Sequence, residues 1–208
     1  MEILNEIKTA VFKGNVKGVT ELVNKALSEN VEPKVILEEG MLPAMTEIGE
    51  LFAQNKVFIP QVMIAAKAMN TGSEILKPHM KGDASAKGVA IIGTVKGDQH
   101  DIGKNLVKMM LEGQGIEVTD LGINVTAEKF IAVAKEKNAD LICCSALLTT
   151  TMPVMQQVVD LRNAEGIKAK VMVGGAPVTQ DFCDKIGADA YTKDAASAAA
   201  KAVQLCQG

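Results

Sequence analysis

The sequence predicts an α/β protein made of an N-terminal bundle of four helices and a C-terminal sheet of five parallel strands covered by helices. Three observations carry this prediction. Apolar residues recur at helical spacing throughout residues 1–80. From Gly88 onward, short apolar runs alternate with amphipathic segments. Those runs are apolar on both faces, which is typical of parallel strands covered on both sides.

Four helices account for the N-terminal part. Asn15 follows the glycine that ends the first helix, and its side chain is placed to cap the second. Pro33 suits the first turn of the third helix, which we expect to bend near Gly40 and Pro43. The fourth helix opens at Pro60. The short connections between these helices predict an antiparallel bundle.

The C-terminal part alternates strands with helices five times, which predicts a flavodoxin-like (Rossmann-like), doubly wound domain over residues 88–208. The polar segment 81–87 is interpreted as a linker between this domain and the helical domain, residues 1–80. The predicted strands are 88–93, 117–121, 140–146, 169–174 and 189–192. The predicted helices are about 102–114, 126–137, 152–165, 179–186 and 195–206.

Composition and charge exclude several classes of protein. The chain of 208 residues has a net charge of −3, whereas nucleic-acid binding favours a basic face. No apolar run approaches the roughly 20 residues that a membrane span needs. The four cysteines lack C-x-x-C spacing and are interpreted as buried, reduced thiols. We therefore expect a cytoplasmic protein with neither a nucleic-acid nor a membrane partner.

The loop after the first predicted strand carries the strongest functional signal. It contains His100, one of two histidines in the chain, with Asp98 two residues before it and Gly103 three residues after it. Open α/β sheets bind ligands at the carboxyl ends of their strands, where this loop lies. A neutral imidazole binds transition metals, and a carboxylate on its second nitrogen fixes the tautomer. The loop is a candidate metal site; the alternative is a solvated loop histidine.

Two further strand ends carry complementary residues. Ser145, Leu147 and Thr149 follow the third strand, and Gly174 and Gly175 follow the fourth. Hydroxyl groups in a crevice seek hydrogen bonds, and glycines let a ligand approach the backbone closely. The same residues could instead form a helix cap and an ordinary turn. Their place at the edge that carries the histidine favours one shared site.

Together these elements resemble the signature of cobalamin-binding domains, which is D-x-H-x-x-G, then S-x-L, then G-G. In this chain they stand as Asp98 to Gly103, Ser145 to Leu147, and Gly174-Gly175. Residues 1–80, and the stretch from Gly49 to Gln61 in particular, are similar to the four-helix cap domain of corrinoid methyl-transfer proteins. The chain thus resembles the cobalamin-binding module of methionine synthase and the corrinoid proteins of methanol, methylamine and O-demethylase systems.

The resemblance implies a base-off cobalamin, or a related corrinoid, whose cobalt takes His100 as its lower axial ligand. Asp98 would orient that histidine. Thr151 stands where methionine synthase has a serine that extends the Asp–His relay; a threonine keeps the hydroxyl and adds a methyl group. The residues implied along the nucleotide tail of the cofactor are Gly103, Ser145, Leu147, Thr149, Gly174 and Gly175. Further residues implied to bind the cofactor are Gln99, Asp101 and Ile102.

For the helical part, the resemblance implies a cap that shields the upper corrin face and moves on the linker. Phe52, Phe58 and Met63 are its candidate residues, and a place in the bundle core is the alternative. The implied partners are a substrate-specific methyltransferase, a second methyltransferase acting on tetrahydrofolate or coenzyme M, and a reductive activator for Co(II). The methyl donor stays open among methanol, a methylamine, a methoxylated aromatic compound and another compound.

Rival functions from other classes are a cobalamin-dependent sensor and a mutase-type cobalamin subunit. A mutase needs a catalytic barrel, which 208 residues do not accommodate beside these two parts. A DNA-binding sensor would carry a basic helix, whereas the N-terminal helices are balanced in charge. A flavin or phospho-acceptor domain would not explain the histidine loop. We expect a component of a methyltransferase system rather than a complete enzyme.

Overall fold

A computed structural model describes residues 2–80 and 87–207 of the chain. Within these ranges the chain divides into two compact units. One comprises residues 2–80 together with 112–115, and the other comprises residues 87–111 and 116–207. The linker predicted at 81–87 lies, apart from its last residue, outside the described residues, and its role as a hinge stays a prediction.

The N-terminal unit is helical, as the periodicity predicts. Asn15 caps the second helix by accepting a hydrogen bond from the backbone N–H of Gly18 at 3.0 Å. The helices are α1 (Glu2–Phe12), α2 (Val16–Ser28), α3 (Pro33–Val35), α4 (Leu42–Ala53) and α5 (Ile59–Leu76). A π-helical turn (Ile36–Met41) joins α3 to α4, and a 3₁₀ turn (Lys77–His79) follows α5.

The π-helical turn is the form taken by the irregularity predicted near Gly40 and Pro43. Pro43 has no N–H and cannot donate to the carbonyl group one helical turn earlier, so regular α-helical bonding is interrupted there. Met41, within this turn, is fully buried, as are Val19 on α2 and Met69 on α5. The apolar faces of these helices therefore meet in one core, which is what their spacing predicts.

The C-terminal unit is a doubly wound parallel sheet, and the predicted fold class is confirmed. Its strand order, β2-β1-β3-β4-β5, is the flavodoxin-like order. The strands are β1 (Val89–Thr94), β2 (Glu117–Asp120), β3 (Leu141–Ser145), β4 (Lys170–Gly174) and β5 (Ala190–Tyr191). The helices are α6 (Ile102–Gly113), α7 (Ala127–Lys137), α8 (Pro153–Ala164), α9 (Gln180–Ile186) and α10 (Ala195–Gln207). The last strand is shorter than predicted, because only two residues of it pair with β4.

The register of the sheet shows why its strands are apolar on both faces. Ile91, Ile142 and Val171 are aligned across β1, β3 and β4, and they lie in the core that α7 and α8 cover. Their neighbours along the chain, Ile92, Cys143 and Met172, are aligned in the same way and are buried as well. Because successive side chains alternate between the faces, both faces of the sheet are covered.

No helix in the described ranges combines the length and the apolarity that crossing a lipid bilayer requires.

Candidate functional site

The strand order creates a crevice between β1 and β3. The chain continues from β1 to β2 on one side of the sheet and crosses back to β3 on the other. The loops that follow β1 and β3 therefore diverge at their carboxyl ends, which is where doubly wound proteins bind ligands. The first of these loops carries His100, and the second runs from Ala146 to Met152.

The carboxylate of Asp98 ties the two loops together. Its Oδ1 atom accepts hydrogen bonds from the backbone N–H of His100 at 3.1 Å and from the ring Nδ1 of His100 at 2.7 Å. Its Oδ2 atom accepts from the backbone N–H groups of Leu147 at 2.7 Å and Leu148 at 3.0 Å. Asp98 is fully buried. One side chain from the β1 loop thus fixes the start of the β3 loop.

These contacts determine the charge of Asp98. Burial by itself would raise its pKa, but hydrogen bonds donated by His100, Leu147 and Leu148 outweigh it and hold the pKa well below the usual range of an aspartate. The group is therefore a carboxylate at neutral pH. A carboxylate only accepts hydrogen bonds, so the proton between it and the ring belongs to Nδ1 of His100.

His100 is consequently a candidate ligand. Its side chain is 53% exposed, and in the neutral ring with its proton on Nδ1 the lone pair of Nε2 is available. An imidazole whose second nitrogen donates to a carboxylate is the usual arrangement of a metal-binding histidine. In the described residues no group of three or more His, Cys, Asp or Glu side chains could hold a metal ion by itself. One exposed, oriented imidazole offers a single ligand, which fits a metal whose other ligands come from its own cofactor, such as the cobalt of a corrin ring.

Thr151 extends this network. Its hydroxyl oxygen lies 3.1 Å from Oδ2 of Asp98 and 2.8 Å from the backbone oxygen of Leu148. Thr151 is buried, so its hydroxyl needs these partners. Because a hydroxyl carries one hydrogen, it donates to either acceptor or divides its bond between them. The contact expected between Thr151 and Asp98 is present.

The sheet register brings two more of the predicted residues side by side. Ser145 and Gly174 are partners across β3 and β4 at the same edge, and Ser145 is half-buried. Leu147 and Thr149 are exposed. At Gly175, φ is +127° and an added Cβ would lie 1.8 Å from the backbone oxygen of Ala146. This glycine is therefore required by the crossing of two backbones, whatever else the site holds.

The remaining predicted residues are open to solvent. Gln99, Asp101, Ile102 and Gly103 surround the histidine and are exposed. A Cβ added at Gly103 would meet nothing within 4 Å, so space is present beside the first turn of α6. These positions are accessible to a large ligand.

The helical unit holds the three residues predicted for a cap. Phe58 is 66% exposed and Met63 is 49% exposed, whereas Phe52 is partly buried. The alternative of a place in the bundle core does not hold for Phe58 or Met63. Large apolar side chains at this exposure are candidates for binding a partner or ligand.

Three neighbours of the site are missed by the sequence reasoning. Thr94 is fully buried at the end of β1, and its hydroxyl donates to the backbone oxygen of His100 at 2.9 Å. Asn124 accepts from the N–H of Gly97 at 2.8 Å. Lys104 is buried against Asp120. A signal was available for Asn124 alone, since it follows β2, whose carboxyl end lies at the same edge of the sheet as those of β1 and β3.

Fold and site together define a cofactor-binding α/β protein that presents a carboxylate-oriented histidine at its switch point. Two family models, both described as B12 binding domain, match residues 88–203 and residues 3–77. The chain therefore belongs to the B12-binding domain family, and the resemblance inferred from its motifs is confirmed.

Individual relatives agree with the family. "Dimethylamine corrinoid protein 1" of Methanosarcina acetivorans is 48% identical over 208 residues, covering 98% of this chain and 97% of that protein. The methanol:cobalamin methyltransferase complex MtaBC from Methanosarcina barkeri contains a chain 31% identical, with a TM-score of 0.90, over 100% of this chain and 80% of that one. A cobalamin-binding protein from Desulfitobacterium hafniense is 31% identical with a TM-score of 0.79, over 98% and 97%.

Proposed function

We propose that this chain carries a methyl group on the cobalt of a corrinoid, from a substrate-specific methyltransferase to a second methyltransferase. The proposed methyl donor is a methylated amine, and dimethylamine is the preferred candidate. The proposed acceptor is tetrahydrofolate or coenzyme M. The full-length similarity to a dimethylamine corrinoid protein, at 48% identity, supports an amine over methanol, where the identity is 31%. A reductive activator for Co(II) is the third partner in this proposal.

The observation that carries the proposal is the pairing of His100 with a buried, ionised Asp98. The bound corrinoid would supply a cobalt centre able to accept and release a methyl group. His100 would be its lower axial ligand through Nε2, in place of the cofactor's own base. Asp98 holds the proton on Nδ1 and the ring in one orientation, since their atoms lie 2.7 Å apart. Thr151 supports that carboxylate from the side of the β3 loop.

The open edge of the sheet suits the nucleotide tail of the cofactor. We propose that the tail passes Gly103, where space is present, and continues along the carboxyl ends of β3 and β4. Its contacts would be Ser145, Leu147, Thr149, Gly174 and Gly175. Gln99, Asp101 and Ile102 would be further contacts of the cofactor. Phe58 and Met63 would shield the upper face.

The four cysteines are free thiols, which supports a reducing, cytoplasmic location.

Isotopic labelling tests the axial ligand directly. The full chain is produced with histidine labelled by the heavy nitrogen isotope, reconstituted with cobalamin and reduced to Co(II). We expect the axial-nitrogen splitting in the electron paramagnetic resonance spectrum to change from three lines to two on labelling. The His100→Ala variant should not show this change, because no histidine then reaches the cobalt.

His79 provides the matched control, since it is the other histidine in the chain. His79→Ala should behave as the unsubstituted chain does. An unchanged, label-sensitive spectrum in His100→Ala would show that His100 is not the ligand. The same preparations, reduced further to Co(I) and mixed with purified methyltransferases specific for methylamines or for methanol, decide the donor. Methylation of the cofactor with methanol but with no amine would refute the proposed donor class.

A further inference from the structure

Lys104 is a buried cation one residue beyond the Asp98–Gly103 motif. It is 3% exposed, and its Nζ atom lies 2.7 Å from both carboxylate oxygens of Asp120 and 2.7 Å from Oδ1 of Asn105. Burial opposes the ionisation of Asp120, but its contact with Lys104 lowers its pKa below the ordinary value. The pair joins the first turn of α6 to the end of β2.

Asn124 makes a second attachment between the same two regions. Its Oδ1 atom accepts from the N–H of Gly97 at 2.8 Å, and its own N–H donates to the backbone oxygen of Asp98 at 3.1 Å. Its φ is 54°, a left-handed conformation that asparagine adopts more readily than most residues. Asn124 therefore holds the peptide groups on both sides of the Gly97–Asp98 junction.

Both attachments lead to one short stretch of chain, residues 120–124. Within it, Asp120 also accepts from the N–H of Gly122 at 2.9 Å, and the backbone oxygen of Gly122 accepts from the N–H of Thr94 at 3.0 Å. The stretch is thus fixed internally and against β1. It fastens the chain before His100, through Asn124, and after His100, through Asp120.

We propose that Lys104, Asp120 and Asn124 are positioning residues for His100, holding residues 97–104 in the ligating conformation before any cofactor binds. This inference rests on the proposed function, in which His100 binds cobalt. Fixing the backbone of a loop costs about 1–2 kcal/mol per residue. A loop that is already fixed does not add that cost to binding, so its affinity for the cofactor is higher.

An ion pair suits this positioning role because its hydrogen bonds are directional and join specified atoms. A buried Lys–Asp pair adds little net stability compared with apolar residues of similar volume. It does, however, specify which atoms must meet. Nζ of Lys104 donates to both carboxylate oxygens of Asp120, and these bonds fix the first turn of α6 relative to β2. The bond that Nζ donates to Asn105 lies within α6 and orients the ammonium group. The position of the helix then limits where His100, two residues before its start, can lie.

The test begins with the cofactor-free full chain and three variants. Lys104→Met removes the buried cation, and Asn124→Gly removes the amide while tolerating the left-handed backbone. Lys108→Met is the matched control, since Lys108 approaches Asp120 at 3.6 Å but its side chain is 32% exposed. We expect hydrogen exchange at Gly97 to Asp101 to accelerate about tenfold or more in the first two variants, a change of about 1.4 kcal/mol, and to stay unchanged in the control.

Cobalamin affinity in a double-mutant cycle then separates positioning from general stability. Lys104→Met should weaken cobalamin binding about tenfold in the chain that keeps His100. In a His100→Ala background the same substitution should have little further effect, because the ligand that it positions is absent. An equal loss of affinity in both backgrounds, or unchanged exchange at Gly97 to Asp101, would overturn the inference.

Circular dichroism, the label-sensitive spectrum and cobalamin affinity distinguish three outcomes. If Lys104→Met does not fold, as judged by circular dichroism, Asn124→Gly carries the same cycle, since Asn124 is exposed. If His100→Ala retains the label-sensitive spectrum, the proposed axial ligand is wrong and this inference falls with it. If that spectrum is lost but Lys104→Met and Asn124→Gly bind normally, the axial ligand stands and the positioning role alone is refuted.

Discussion

The side chain of Asp98 makes most of the hydrogen bonds that hold the site together. Its two oxygens accept hydrogen bonds from His100, Leu147 and Leu148, and the group is buried. The hydroxyl oxygen of Thr151 lies 3.1 Å from one of them. Removing a buried acceptor destabilises the protein in two ways: the hydrogen bonds are lost, and the buried donors are left without an acceptor. Because these contacts keep the carboxylate ionised, they also decide that Nε2 of His100, not Nδ1, is free to bind a metal.

Asp98→Asn should therefore lower the free energy of unfolding of the cofactor-free chain by about 3 kcal/mol at neutral pH. The folded pKa of Asp98 is lowered, so its stabilisation is fully present above the unfolded pKa of about 4 and is lost as the pH falls below it. The difference between variant and unsubstituted chain should shrink accordingly. Urea denaturation across the acid range measures both effects.

Asp101→Asn is the control for that experiment, because Asp101 lies in the same loop but is exposed. We expect it to change the free energy of unfolding by less than about 0.5 kcal/mol. A difference for Asp98→Asn that stays constant from neutral pH to well below about pH 4 would contradict the assignment of an ionised Asp98.

At the scale of elements, α6 joins the ligand loop to the rest of the domain. It begins at Ile102, two residues after the histidine, and its second residue is Gly103. A glycine within a helix costs roughly 0.5–1 kcal/mol relative to alanine. At Gly175 the backbone explains the glycine, whereas at Gly103 an added Cβ would meet nothing within 4 Å. Gly103 therefore has no packing reason in the cofactor-free chain.

Gly103→Ala should consequently have effects of opposite sign on stability and on binding. We expect the free energy of unfolding of the cofactor-free chain to rise by roughly 0.5–1 kcal/mol. Cobalamin affinity should fall by about tenfold or more, because the methyl group occupies the space proposed for the nucleotide tail. Denaturation and cofactor titration measure the two quantities. A more stable variant with undiminished affinity would place the tail elsewhere.

At the scale of the whole molecule, the two units can be followed by different spectroscopic signals. The chain has one tyrosine and no tryptophan, and Tyr191 lies in β5. Tyrosine fluorescence therefore follows the α/β unit, while far-ultraviolet circular dichroism follows the helices of both units. A ligand that binds only the folded state stabilises the part that it contacts.

Cobalamin should raise the midpoint of the urea transition followed by Tyr191. At a free concentration of about 100 times its Kd, the expected stabilisation is about 2.7 kcal/mol. In His100→Ala, the same cofactor concentration should produce a smaller shift, because one bond to the cobalt is lost. A shift confined to the circular dichroism transition, with the tyrosine transition unmoved, would show that the α/β unit is not the binding unit.

The sequence by itself determined the fold class, and it predicted which residues lie together at the carboxyl ends of the strands. Apolar spacing is a local property, so the helices of the first unit and the strands from β1 onward could be predicted from nearby residues. Parallel strands that share an edge must bring the loops with Asp98, His100 and Ser145 together, so the location of the site also followed. The signature then pointed to the B12-binding family that the comparisons show.

Only the tertiary structure decided how that site is held. The bonds from Leu147 and Leu148 to Asp98 use backbone N–H groups, which every residue but proline has, so no sequence pattern marks them. The Lys104–Asp120 pair spans 16 positions and depends on how α6 lies against β2. Gly175, read as a ligand-facing glycine, proved to be required by the backbone of Ala146. Contacts between residues far apart in the chain depend on packing geometry, which local spacing does not specify.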